Sequence, residues 1–143
     1  MAYNDTPKPD EKLKDSQPLI RENFQLLEDS QVVDEGSTSD GDYIRYENGW
    51  QICRDEIVLE YDGDSKYCIK TWSFPQSFNS APEVFANYKT GSAYVSHDEL
   101  SALRCPSATS SEVLVVQYRV AGMTDFSEGD TVTVYVLSIG RWK

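Results

Sequence analysis

The stretch Tyr43-Ile-Arg-Tyr-Glu-Asn-Gly-Trp-Gln-Ile-Cys53 decides the fold. Asn48-Gly49 is the strongest two-residue hairpin signal, because both residues tolerate the positive φ that a type I′ turn demands. Counting outward from that turn pairs Glu47 with Trp50, Tyr46 with Gln51, Arg45 with Ile52 and Ile44 with Cys53. The next run, EIVLEY (56–61), ends at Asp62-Gly63-Asp64 and returns as KYCIKTWSF (66–74), which reads as a second hairpin. Pro75 stops that strand, and a loop through Phe78 to Pro82 leads to EVFANY (83–88). After an irregular segment come EVLVVQYRV (112–120) and TVTVYVLSIGRW (131–142). No helical period occurs after residue 42, and strands recur with turns between them. The expected fold is mainly β: an antiparallel sandwich or barrel, with a sandwich favoured.

The last of these strands is apolar on both faces. Val132, Val134 and Val136 fall on one side, while Tyr135, Leu137 and Ile139 fall on the other. An antiparallel strand with one wet face should alternate apolar and polar. The second face therefore needs a cover, either another subunit or the chain's own loops.

Residues before the hairpin differ in kind. Residues 1–15 hold almost nothing to bury, so they are expected to be extended or disordered without a partner. In SQPLIRENFQLLEDS, Asp15 or Ser16 can cap a helix and Pro18 fits its first turn. Ile20, Phe24 and Leu27 follow at helical spacing, with Leu19 and Leu26 beside them. About three turns are too few to be stable alone in water, so this apolar stripe must dock on something. Residues 29–42 (DSQVVDEGSTSDGD) read as an acidic, Gly/Ser-rich linker around Val32-Val33. The expected division is a tail, 1–40, and a β-sandwich head, 41–143.

The formal net charge of −11 opposes binding to nucleic acid or an anionic membrane, which requires Lys and Arg against phosphates. No stretch approaches the roughly 20 apolar residues of a membrane span, and the first residues lack the order of a signal peptide. Cys53, Cys68 and Cys105 are odd in number and irregular in spacing, which suits free thiols rather than a disulfide framework or zinc site.

Catalytic patterns are equally thin. His97 stands beside Asp98 and Glu99 without the further ligands a metal site needs. Asp62-Gly63-Asp64-Ser65 lacks the later ligands of a calcium loop and reads as a polar turn. No Gly-x-Ser-x-Gly elbow occurs, and no carboxylate pair is marked for burial. The reading is a non-enzyme without cofactor or metal. Segment 89–111 is the candidate recognition loop, because recognition is usually placed on loops of a rigid scaffold. Tyr94, His97 and Asp98 are its candidate contact residues.

Taken in order, several segments resemble tailed-phage fibre proteins. GDYIRYENGWQIC (41–53) is similar to the start of their C-terminal domain, TWSFPQSFNSAPEV (71–84) to a strand followed by Phe-Pro, Phe and Ser-x-Pro, and VYVLSIGRWK (134–143) to their closing strand. The layout also resembles H-type lectin domains, which are trimeric sandwiches that bind sugars. DSQPLIRENFQLL (15–27) resembles an N-terminal segment of phage virion proteins. The resemblance covers most of residues 15–143. It implies a homotrimeric virion fibre, assembled in the host cytoplasm. Leu19, Ile20, Phe24 and Leu27 would attach it to another virion protein or to its own copies, and the head would face a host surface glycan. The chain departs from the family in having no long shaft between helix and head. A capsid decoration protein and a sugar-binding lectin are the alternatives.

Overall fold

The computed structural model describes residues 18, 20–25, 31–63, 67–91, 100–122 and 125–143. Among the described residues eight strands form the head: β1 (Val32–Thr38), β2 (Gly41–Tyr46), β3 (Trp50–Tyr61), β4 (Tyr67–Ser73), β5 (Glu83–Gly91), β6 (Leu100–Arg104), β7 (Glu112–Arg119) and β8 (Thr131–Arg141). All pairings are antiparallel. One layer runs β1-β2-β3-β8-β5 and the other β4-β7-β6. They join where the end of β3 meets β4, at Glu60–Ile69 and Tyr61–Cys68. The mainly β, sandwich reading of the sequence is borne out.

The core lies between the layers, and the period-2 pattern explains who enters it. From β3 come Cys53, Ile57 and Leu59, and from β8 Val132, Val134 and Val136. Across from them stand Cys68 and Trp72 of β4 and Val113 and Val115 of β7. Trp72, Phe74 and Phe78 stack edge to face, with successive ring centroids 5.1 Å apart. The Trp72 indole N–H donates to the Asp40 carbonyl at 2.9 Å, which ties the second layer to the β1–β2 turn.

Three sequence expectations need correction. First, the hairpin register is one residue from the type I′ count: Tyr43 faces Cys53, Ile44 faces Ile52 and Arg45 faces Gln51. Gly49 takes φ +90°, but Asn48 keeps an ordinary φ, and Gly49 N–H donates to the Tyr46 carbonyl. The loop is thus three residues, a turn closed by a left-handed glycine. The slip matters because one residue exchanges the two faces of a strand. Tyr43 and Cys53 turn toward the core, while Ile44 and Ile52 turn outward. Second, QIC and EIVLEY are one continuous strand, β3. Third, the linker reading of 29–42 and the irregular reading of 89–111 miss β1 and β6. Both are edge strands. β1 buries almost no side chain and carries no apolar alternation, so its pairing rests on the backbone and on Asp34, which accepts from Tyr43 Oη and meets Arg45 at 3.7 Å.

Arg45 and Gln51 fix the inner side of this hairpin. Arg45 Nε donates to Gln51 Oε1 at 2.7 Å, its guanidinium lies 4.9 Å from the Trp142 ring centroid, and Gln51 Nε2 donates to the Gln76 carbonyl at 2.8 Å. Gln51 is fully buried, so these bonds satisfy a side chain that would otherwise be costly there.

All three cysteines are free thiols, with Cys53 and Cys68 buried. Burial pushes all three thiols up, and Cys68, which also feels Asp130, reaches about 12. At pH 8 only about one Cys68 thiol in ten thousand would be ionised, and the thiolate is the reactive form. A charged thiol reagent at pH 8 should therefore label less than one cysteine per chain within minutes, and three in denaturant. Rapid native labelling of two or more would contradict this packing.

Candidate interaction surface

The outer face of the larger layer can be read row by row from the register. Ile44 of β2, Ile52 of β3 and Ile139 of β8 form one row, which ends at Glu83 of β5. The next row is Asp42, Arg54, Leu137 and Phe85. Glu56, Tyr135 and Asn87 follow, and then Val58 and Thr133. Phe85 is 57% exposed, Tyr135 48% and Val58 40%. Such a continuous apolar patch on a water-facing sheet marks an interaction surface. Among the described residues no loop roofs it. The second face of β8 is thus left open by the chain's own described residues.

The charged groups at its centre are spent on one another. Arg54 meets Asp42 at 3.2 Å, and Asp42 also accepts from Ser37 Oγ at 2.6 Å. Lys89 Nζ reaches Glu56 at 2.6 Å and lies 5.2 Å from the centroid of the Tyr135 ring. Lys89 gets there because the β5–β8 register shifts between Tyr88 and Thr90. A bulge of this kind re-aims a side chain, here across β8 to β3. The Ser37 hydrogen bond and then Arg54 hold the Asp42 carboxyl below its ordinary value, and Glu56 holds the Lys89 amine above its own. The Asp42 contribution is therefore present above pH 3.8 and lost as pH falls through its lower folded value. The Lys89 contribution is present below 10.5 and lost as pH rises through its higher folded value. Both pairs persist across the neutral range.

Beside these pairs lies a depression of about 510 Å³, walled by Gly41, Asp42, Arg54, Phe85, Tyr135 and Leu137 among others.

The sequence-derived candidates fall differently. Ile20 and Phe24 lie in a helical segment, residues 20–25, and are 50% and 60% exposed. These two apolar side chains are thus largely exposed. Leu19 and Leu27 lie outside the described residues, as do Tyr94, His97 and Asp98. The sheet-face residues Phe85, Val58 and Lys89 were not singled out in the sequence, although the doubly apolar β8 pointed to their neighbourhood. Among the described residues no cluster of three or more His, Cys, Asp or Glu is placed to hold a metal ion. No described helix is long and apolar enough to cross a membrane.

The chain matches no protein-family model and no curated protein. Its fold is shared with C-terminal parts of phage-tail-like fibres, which bears out the resemblance to tailed-phage fibre proteins. The R1 pyocin fibre fragment of P. aeruginosa matches at a TM-score of 0.56 and 18% identity, over 84% of this chain and 30% of that one. An N-truncated R1-type pyocin tail fibre gives 0.56 and 16%, over 87% of this chain and 95% of the other. The R2 pyocin fibre fragment of P. aeruginosa gives 0.52 and 13%, over 76% and 26%. The chain thus spans under a third of the two longer fibre fragments and nearly all of the truncated one.

Proposed function

We propose that this chain is a fibre protein of a phage or phage-tail-like particle, a non-enzymatic homotrimer that presents its β head to the host surface. The supporting observation is the shared fold with a truncated pyocin tail fibre over nearly the whole of that chain. Two exposed apolar surfaces accord with it. Ile20 and Phe24 form a stripe that gains stability only on a partner, and that partner is another structural protein of the particle. The face around Phe85 needs a cover of its own. Attachment to a host glycan through the head completes the reading, with Tyr94, His97 and Asp98 as its contacts. Weak binding per head suffices, because several linked heads raise avidity by about 10²–10⁴.

The purified protein should scatter light as three times its 16.2 kDa chain mass. Deleting residues 1–30, which spares β1, should leave a folded head that no longer joins the particle. Phe24→Asp should act likewise, because it places a charge on the helix's apolar face. Normal incorporation of both variants would refute the docking role. Displayed heads that ignore host cells would refute the adhesive one and favour capsid decoration.

A further inference from the structure

We propose that the outer face of β2, β3, β8 and β5 is the surface on which copies of this chain pack, turned inward around a threefold axis. The inference rests on the homotrimer reading and adds to it the residues that meet.

Charge selects the occupant. Each copy carries a net −11, so like copies repel everywhere except where charge is already cancelled. At the centre of this face Asp42, Arg54, Glu56 and Lys89 form two internal ion pairs and sum to zero. Glu35, Glu60 and Glu83 stand at its margins, on the same side of the sheet. A basic partner would seek those margins and gain little from the centre. Another copy gains from the centre and tolerates the margins.

The polar groups point the same way. A sugar site needs free donors and acceptors to fix orientation. Here Asp42 and Arg54 bond each other, Glu56 bonds Lys89, and Asp55 accepts from the Glu56 backbone N–H. What is left for a partner is mainly apolar: Phe85, Leu137, Tyr135, Val58 and the row Ile44, Ile52 and Ile139, with Asn87 and Thr133 beside them.

Four strands about 4.8 Å apart, taken over the nine residues from Trp50 to Val58 at about 3.3 Å each, project about 600 Å². Shared between the two neighbours of a trimer, that is about 300 Å² with each, so this face supplies part of an interface whose specific forms begin at about 600 Å² per partner. In a threefold arrangement three such sheets enclose one prism of apolar side chains and internally neutralised ion pairs, and the depression beside Phe85 takes a neighbour's side chain.

The test is the mass of the full chain and its variants by light scattering at micromolar concentration. Phe85→Glu and Val58→Glu replace exposed side chains, so each should keep the wild-type circular dichroism, with a melting temperature lowered only by the stabilisation that association supplies. Each should drop the mass from threefold to onefold. Thr71→Glu, on an exposed position of the other layer, should remain trimeric. The wild-type trimer should also persist in 1 M NaCl, which screens the acidic margins and leaves the apolar contact intact. If the wild type is itself a monomer, the homotrimer reading fails, and this inference with it. If the wild type is a trimer and both face variants stay trimeric, the face assignment fails while the homotrimer stands. A trimer lost on deleting residues 1–30, but kept in both face variants, would assign assembly to the helix and overturn the proposal.

Discussion

Trp72→Ala is expected to lower the stability of the head by about 3–5 kcal/mol, the usual range for removing a buried aromatic. Trp72 is 2% exposed and packs edge to face on Phe74. Its indole N–H also holds the Asp40 carbonyl, so the loss reaches the β1–β2 turn on the opposite layer. A domain of this size has only about 5–15 kcal/mol in all. Trp72→Phe keeps a ring and loses the hydrogen bond, which should cost about 1 kcal/mol plus a packing penalty. Trp50→Ala, at a side chain 44% exposed, should cost about 1 kcal/mol or less. Urea unfolding followed by tryptophan fluorescence orders the three. Equal midpoints for Trp72→Ala and Trp50→Ala would mean that the inter-layer core is misassigned.

Gly41→Ala should be nearly as damaging, for a backbone reason. Gly41 takes φ +117°, and a Cβ there would lie 2.3 Å from the Arg54 carbonyl oxygen and 2.9 Å from the Asp55 Cβ. Strained φ costs about 1–3 kcal/mol, and a clash with backbone inside a paired strand adds a similar amount. The total expected is about 3–5 kcal/mol. Gly63→Ala is the control, since Gly63 also has positive φ, +87°, but open space around it. It should cost about 1 kcal/mol by the φ effect alone. Because relief at residue 41 must displace Arg54, the variant should also weaken the proposed trimer more than its stability loss predicts. Matching losses at residues 41 and 63 would show that the contact with Arg54 is not limiting.

The strands that bury side chains were legible in the sequence, because burial imposes alternation. β3 and β5 carry it plainly, while β4, β7 and β8 are marked by apolar, β-prone runs instead. β1 was not legible, because an edge strand can pair through its backbone alone, and β6 was not, because its core contacts Leu100 and Leu103 are spaced by three across a register shift rather than by two. Val32-Val33 was visible, but its neighbours Asp34, Glu35 and Gly36 disguise a strand whose main work is pairing with β2. The Asn48-Gly49 signal placed the turn correctly and the register wrongly. Only the second of the two residues takes a positive φ, and sequence does not separate a two-residue from a three-residue loop there. The doubly apolar β8 gave half of the interaction surface. The other half depends on a bulge at Lys89 and on which side of β3 faces out, and neither has a local sequence signature.

The pairing of β3 with β8 over eleven successive residues, Trp50–Arg141 to Glu60–Thr131, also governs the order of events in synthesis. β3 is complete about 80 residues before β8, an interval of about 4–16 s at ordinary elongation rates. Throughout that interval β3 lacks its longest partner, and Ile57 and Leu59 lack Val132, Val134 and Val136 of β8. Contacts so distant along the chain also make folding slow. The final strand then supplies, in one stroke, the inner wall of the core and the outer rows that neighbouring copies would share. A nascent chain without β8 has neither, so it should be unable to join an assembly prematurely, and maturation of the head becomes a checkpoint that precedes oligomerisation.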